Sequence, residues 1–143
     1  MRTTTRTFLP GTVVMFATIV AIGQLISSNQ APSDAVLRQK IIGIWGRDGF
    51  CIHDRYTFQA SGKFSHRYWV AGTNCQSNVG VPGPIEADWQ IENAVITFRV
   101  TKSNATNFPV GHVVRVKIIR IQDDEFASMY LDKGETNVLT RKE

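Results

Sequence analysis

Apolar and polar residues alternate along most of the chain after its first forty positions. In the clearest stretch, Ile85 to Ile91, every second side chain is apolar and the intervening ones are acidic or amide. Ile96 to Val100 repeats the pattern with Thr97 and Arg99 between its apolar residues. A period of two puts neighbouring side chains on opposite faces of a strand, so these segments predict strands with one dry and one wet face.

Similar short runs recur between turn residues at the spacing of an antiparallel barrel or sandwich. Three links, 60–62, 92–93 and 122–124, are short and contain Gly, Asn or Asp, which is typical of hairpins. About eight strands close a barrel around packed side chains or one small ligand. We therefore expect an all-β fold, a single antiparallel up-and-down barrel. Its expected strands are Ile42–Arg47, Asp54–Gln59, Lys63–Val70, Ile85–Ile91, Val95–Thr101, His112–Ile121, Glu125–Leu131 and Thr136–Arg141.

Closure of that barrel is predicted from residues at its two ends in sequence. Gly43 and Trp45 open the first strand, and Arg141 lies in the last one. An open sheet leaves edge N–H and C=O groups free to pair with other chains. An arginine stacked on a buried indole, with its donors directed at nearby carbonyls, would join the two strands. We expect Trp45 to be buried and in contact with Arg141.

The first residues are those of an export signal. Arg2 and Arg6 precede the apolar run Val13 to Ile22, which has the length of a signal-peptide core. We assign 1–23 to a signal peptide, with an uncleaved anchor reaching about residue 26 as the alternative. The expected location is periplasmic or secreted, with membrane attachment only if this segment is retained.

Residues 24–40 are predicted to be a polar connector, and 41–143 the barrel domain. Ala35 to Lys40 would form a brief helix that begins at Ser33 or Asp34. Val36 and Leu37 are apolar residues within it, and the connector is expected to contribute little to the core.

The chain has two cysteines, Cys51 and Cys75, both beyond the leader. In an oxidising compartment an isolated pair predicts one disulfide, worth roughly 3–4 kcal/mol for a loop of this length. A metal or redox pair would need the C-x-x-C spacing, which is absent. The long link from Ala71 to Pro84, rich in Gly, Pro, Asn and Ser, would then be either a tethered rim at the mouth of the barrel or a tolerated surface insertion.

The amino-acid composition limits the kinds of partner that the protein is expected to bind. The 143 residues are 43% apolar, enough for one domain with one core. The formal charge is +4, but loss of the leader leaves 14 basic against 12 acidic residues. A nearly balanced chain does not favour a nucleic-acid partner.

Six aromatic residues are candidates to line the interior and touch a ligand. Large rings fill a small core first, so we expect them to pack against each other and leave no cavity. Trp69 would point outward and mark a contact surface for a ligand or protein. The candidate lining residues are Tyr56, Phe58, Phe64, Tyr68, Trp89 and Phe98.

Catalysis is not predicted. His53, His66 and His112 lie in or beside different strands, and a zinc site would need all three to converge. His66 could equally line a barrel wall. No nucleophile, phosphate-loop or histidine-glutamate zinc motif occurs, so we expect no enzyme activity, no metal and no cofactor.

Read in order, several of these segments resemble the small bacterial lipocalin-like domains. They are Gly43 to Trp45, Tyr56 to Phe64, Trp89 to Phe98, and Arg141. The resemblance runs from about Ile41 to the end and implies a barrel that binds a small apolar or amphipathic ligand without catalysis.

The alternative is a resemblance to periplasmic inhibitors of bacterial metalloproteases, also eight-stranded barrels. It is based on the order of Gly43, Trp45, Cys51, Cys75, a later tryptophan and a basic last strand. It implies a protein partner bound through an N-terminal segment, which here would be residues 24–40.

Overall fold

The computed structural model describes residues 31–71, 75 and 83–143. All eight expected strands are present in these ranges, and their bounds differ from the expected ones by at most two residues. The elements in chain order are α1 (Asp34–Ile41), β1 (Gly43–Asp48), β2 (Ile52–Phe58), β3 (Lys63–Val70), β4 (Ile85–Glu92), β5 (Val95–Lys102), β6 (Val113–Ile121), β7 (Glu125–Tyr130) and β8 (Thr136–Lys142).

The strands form a closed barrel in sequence order. Each strand pairs antiparallel with the next, and β1 pairs antiparallel with β8, where Trp45 is opposite Arg141. The predicted all-β, up-and-down barrel is confirmed. Closure leaves β1 and β8 without the free edges that an open sheet would expose.

Strand direction separates the barrel into two different ends. The links β2–β3, β4–β5 and β6–β7 meet at one end together with α1, which we call the closed end. The other four links, which include the two long loops between β3 and β4 and between β5 and β6, meet at the opposite end, which we call the mouth.

Helix α1 is well specified by its own sequence. Ser33 is the N-cap and its hydroxyl accepts a hydrogen bond from the Val36 N–H at 3.4 Å. Asp34 lies in the first turn, and Arg38 and Lys40 lie in the last, which complements the helix dipole. The predicted helix is therefore confirmed at its expected start.

The same helix corrects the prediction for the connector. Leu37 and Ile41 are four residues apart on one helix face, and their exposed fractions are 3% and 0%. Both belong to the hydrophobic core of the barrel. The expectation that residues up to 40 contribute little to the core is wrong from Asp34 onward, because α1 is the lid of the closed end.

The β4–β5 turn shows how α1 is held there. Asn93 and Ala94 both have positive φ, at 52° and 58°, as in the two-residue turns that match the twist of a hairpin. Their N–H groups donate to the Asp34 carboxylate at 2.8 and 2.9 Å. This contact fixes the start of the helix to the turn.

Within the described ranges, no helix is long and apolar enough to cross a bilayer. The predicted signal peptide or anchor, with the first part of the connector, lies in residues 1–30 and therefore outside the described residues.

Candidate functional site

Trp45 is the central residue of the closed end. Its side chain is fully buried, and its Nε1–H donates to the Ile41 carbonyl at 2.7 Å. The Arg141 guanidinium carbon lies 4.3 Å from the indole centroid, so the predicted stacking contact is present. The guanidinium donates to three backbone carbonyl oxygens, of Lys40 at 2.7 Å, Ile42 at 3.2 Å and Asp123 at 2.6 Å.

Gly43 makes room for this contact. Its φ is 132°, in the region that side chains disfavour. A Cβ at this position would lie 2.7 Å from Nη1 of Arg141. The three predicted closure residues therefore act together, since the glycine admits the arginine that covers the indole.

Trp89 forms a second indole–arginine contact at the closed end, which no sequence pattern predicted. Its Nε1–H is shared between the carbonyls of Lys63 at 3.0 Å and Gln59 at 3.2 Å. Arg38 of α1 lies 4.5 Å from the ring centroid. Trp89 therefore closes the barrel and does not line its cavity, contrary to the prediction. No local pattern marks this pair, because it depends on where α1 docks.

Above these seals the barrel encloses a cavity of about 220 Å³, which we call the inner cavity. The expectation that aromatic rings leave no space is wrong. Within its wall Phe58 and Phe64 meet edge to face at 64°, and Ala87 contributes only a methyl group. The wall consists of Tyr56, Phe58, Phe64, His66, Ile85, Ala87, Phe98, Val100, Phe108, Val114, Val116, Phe126, Ser128, Tyr130, Asn137 and Leu139.

Four of the six predicted lining residues are in that wall, namely Tyr56, Phe58, Phe64 and Phe98. Tyr68 is not. It is on the same face of β3 as Phe64 and His66 but lies further toward the mouth, where it is opposite Asp54 of β2.

A second space of about 420 Å³, the vestibule, lies at the mouth. It shares Phe108, Val114, Tyr130 and Asn137 with the inner cavity, so the two spaces adjoin. The remainder of its wall is mostly polar or charged: Arg47, Asn107, His112, Asp132, Lys133, Glu135 and Thr136. An apolar chamber is thus reached through a polar one.

A buried carboxylate connects the strands at this level. Asp54 Oδ2 accepts from Arg47 at 2.7 Å (Nη2) and 3.2 Å (Nε), and Oδ1 lies 3.1 Å from Nε2 of His66. The hydrogen bond to His66, and then that to Arg47, hold the pKa of Asp54 below its usual range, although burial acts in the opposite direction. The sequence allowed His66 as a wall residue, and no sequence pattern marks its contact with Asp54.

Two tyrosine hydroxyls face the same region. Burial raises the pKa of both Tyr56 and Tyr130. Each ring is therefore a neutral phenol at ordinary pH, able to donate and accept a hydrogen bond. The Tyr56 ring also stacks on His66, with centroids 4.3 Å apart and planes at 10°.

One wall of the inner cavity carries a polar pair that no sequence pattern marked. Ser128 of β7 is opposite Asn137 of β8, and their exposed fractions are 4% and 8%. The Asn137 Oδ1 atom is buried and has no hydrogen-bond partner among the described residues. Buried amide oxygens almost always have a partner, so this one is unusual.

The histidines do not converge. His66 is inside the barrel, whereas His112 packs at the mouth against Phe108, with ring centroids 5.7 Å apart. His53 lies outside, 3.0 Å from Asp48 Oδ1 and stacked on Trp69. In the part of the chain that the structure describes, no three His, Cys, Asp or Glu residues are grouped to hold a metal ion.

Trp69 points outward, as predicted, and is 40% exposed. Arg55 covers its ring at 5.1 Å. This exterior cluster is therefore separate from the inner cavity.

Cys51 and Cys75 form the predicted disulfide, with Cα atoms 5.5 Å apart. It joins the β1–β2 link to the β3–β4 link at the mouth. The predicted position of this tether at the barrel rim is confirmed, while residues 72–74 and 76–82 of the loop are outside the described residues.

Eight antiparallel strands, each paired with its neighbour in sequence and closed by the first and last, form the architecture of lipocalin barrels. The fold is lipocalin-like. No protein-family model and no curated protein matches the chain. The solved structure of a lipocalin-like protein from Bacteroides uniformis matches it at 13% identity with a TM-score of 0.49, over 72% of this chain and 99% of the other.

The protease-inhibitor alternative implies that residues 24–40 are an exposed segment that enters a protease cleft. Residues 34–40 belong to α1, whose Leu37 is in the core and whose Arg38 covers Trp89. Residues 24–30 lie outside the described residues. Deletion of 24–40 would therefore remove part of the core as well as the proposed arm.

Proposed function

We propose that this protein holds one small, mostly apolar ligand inside the barrel and acts by binding, without catalysis. The observation that carries the proposal is the inner cavity, which is lined mainly by aromatic and aliphatic side chains and adjoins a polar vestibule. Ligand sites typically combine an apolar wall with a few placed polar groups. The sealed closed end makes the mouth the route of entry.

The size of the cavity limits the ligand. A dry engineered cavity of about 150 Å³ binds benzene, and pockets for drug-sized ligands begin near 300 Å³. The inner cavity, at about 220 Å³, lies between these values. We propose a ligand with one or two fused rings, or a short aliphatic chain, whose polar end is directed toward the mouth.

The character of the polar groups supports binding over catalysis. The Asp54 carboxylate already accepts from Arg47 and lies within hydrogen-bond distance of His66. Tyr56 and Tyr130 are neutral phenols, since burial raises the pKa of each. These groups are suited to orienting a ligand through hydrogen bonds.

We further propose that the protein is exported. The disulfide between Cys51 and Cys75 supports an oxidising compartment. The basic and apolar residues at the N-terminus support a signal sequence. Intact-mass measurement of the protein recovered from its native compartment, with and without thiol alkylation, tests this. Two alkylated cysteines, or retention of residues 1–23 in a cytosolic fraction, would contradict it.

Two neighbouring valines on β6 provide a matched test of the binding site. Val114 lines the inner cavity, whereas Val113 faces outward and is 41% exposed. Val114→Phe fills the cavity, and Val113→Phe adds the same atoms outside it. We expect toluene, naphthalene, indole and hexanoate to include at least one saturable one-site ligand by calorimetry, weakened at least about tenfold by Val114→Phe and unaffected by Val113→Phe.

Thermal unfolding of each variant, with and without ligand, is the control for folding. A specific ligand raises the melting temperature as its concentration exceeds the dissociation constant. Failure of all four compounds to bind, or equal binding by both variants, would contradict the proposed site.

A further inference from the structure

We propose that the inner cavity selects a neutral, ring-containing ligand that donates one hydrogen bond to Oδ1 of Asn137, a molecule of the indole or phenol class. This inference rests on the proposed function and specifies its ligand. Its starting point is a polar atom inside an otherwise apolar chamber, for which the described residues provide no donor.

Asn137 meets the criteria of a built contact. The residue is only 8% exposed, and it lines both the inner cavity and the vestibule. Its position is fixed by the β7–β8 ladder, where it pairs with Ser128. A buried amide oxygen without a donor is costly, so a ligand N–H or O–H at this point would be bound more tightly than an isostere without one.

The surrounding groups argue for a neutral ligand. No Asp, Glu, Lys or Arg belongs to the described wall of the inner cavity, so neither a cationic nor an anionic ligand would meet an oppositely charged side chain there. The Asp54 carboxylate, nearer the mouth, already accepts from Arg47 and lies beside His66. Below this level the wall contains Phe58 and Phe126, among which an unpaired charge would be strongly disfavoured.

The wall also favours a planar ring. Phe64 and Phe98 meet with centroids 4.6 Å apart, and Phe58 and Phe64 meet nearly edge to face at 64°. Such surfaces offer ring edges and faces for offset or T-shaped contacts with a further ring. Two fused rings are the largest aromatic system that we expect a cavity of about 220 Å³ to admit.

Three fused-ring ligands of nearly equal shape separate the effect of the hydrogen bond from the effect of apolar contact. Indole has an N–H donor, indene replaces it with CH₂, and benzofuran replaces it with an acceptor oxygen. With the full mature protein we expect indole to bind at least about tenfold more tightly than indene or benzofuran, the effect of one buried hydrogen bond. Isothermal calorimetry, or competition against a bound probe, measures the three dissociation constants.

Asn137→Leu keeps the side-chain size and removes the acceptor. We expect it to weaken indole about tenfold while indene binds as well as to the wild type, or better. The control is Asn104→Leu, the same substitution at an exposed residue that lines neither the inner cavity nor the vestibule, which should leave the ranking unchanged. If Asn137→Leu does not fold, the ranking in the wild-type protein is sufficient.

The outcomes are distinct. Equal affinity for indole and indene in the wild type overturns this inference and leaves the proposed function standing. Preference for benzofuran would mean that the Asn137 amide donates, and it also overturns the inference. If none of the three binds and the Val114→Phe comparison also finds no ligand, both proposals fail.

Discussion

The two ends of the barrel contain similar residue types, but the closed end is filled and the mouth leads to a cavity. At the closed end, each of two indoles donates its N–H to backbone carbonyls and has an arginine over its face. At the mouth, an arginine and a histidine both contact one carboxylate instead, and the Asn137 amide oxygen has no partner among the described residues. The indole N–H groups at the closed end thus have partners, whereas the other end keeps a buried oxygen that we propose accepts from a ligand.

The closed end also shows why a helix belongs to this barrel. The described part of the chain has one helix, α1, and its Leu37 and Ile41 fill the barrel base while its charged residues reach the turns around them. Arg38 and Arg141 thus connect α1, β4 and β8 across long sequence separations. Loss of any of these contacts should destabilise the whole barrel, whereas changes at the mouth should act first on the ligand site.

The largest expected effect is at the closed end. Trp45→Ala removes a fully buried indole, its hydrogen bond to Ile41 and the surface on which Arg141 stacks. We expect the free energy of unfolding to fall by about 3–5 kcal/mol, as for other large aromatic truncations in cores. Urea unfolding followed by circular dichroism measures it.

Trp69→Ala is the matched control, since that indole lies on the outer face and is 40% exposed. Its cost should be about 1 kcal/mol or less. Similar losses for the two variants would mean that the closed end is not the stabilising region that its contacts indicate.

Sequence reasoning succeeded where the signal is local or repeats with a fixed period. The alternation at Ile85 to Ile91 assigns β4 and its faces, and Asn93 identifies the turn that follows. The contact between Trp45 and Arg141 was predicted because a barrel of consecutive strands must bring its first and last strands together.

It failed where the result depends on the packing of distant elements. Trp89 fits a lining position by its period, and only the docking of Arg38 from α1 shows that it seals the base. The inner cavity depends on how side chains from several strands and from the β5–β6 link pack together, which does not follow from a single strand. Asn137 looks like an ordinary polar residue near a turn until its burial is known.

The second prediction concerns the mouth. Replacing both Cys51 and Cys75 with Ala opens a tether across a sequence separation of 24 residues. We expect a loss of roughly 3 kcal/mol in unfolding free energy, mainly through greater freedom of the unfolded chain. Near-ultraviolet circular dichroism of the folded variant should retain the signals of Trp45 and Trp89, since their seals lie at the other end. A changed signal would mean that the two ends are coupled.

The smallest expected effect on stability comes from removing the buried charge of Asp54 at the mouth. Asp54→Asn removes a carboxylate that binds Arg47 and His66, and we expect it to cost about 1–3 kcal/mol at pH 7. Those contacts lower the folded-state pKa of Asp54 relative to the unfolded value of about 3.9. The contribution is therefore fully present above that unfolded value and is lost as the pH falls through the lower folded value.

Unfolding free energies of wild type and Asp54→Asn should thus differ most near neutral pH and converge in acid. Asp48→Asn is the control on the same hairpin, because Asp48 is exposed on the outside and binds Lys142, His53 and Arg55 there. Its carboxyl pKa is also lowered, first by Lys142, so its pH trend has the same sign, but it should not alter ligand affinity. Of these two variants, only Asp54→Asn changes a group beside Tyr56 and His66. It should therefore change ligand affinity in the inner cavity, and Asp48→Asn should not. Parallel pH curves for wild type and Asp54→Asn would show that the buried carboxylate does not distinguish the mouth from the closed end.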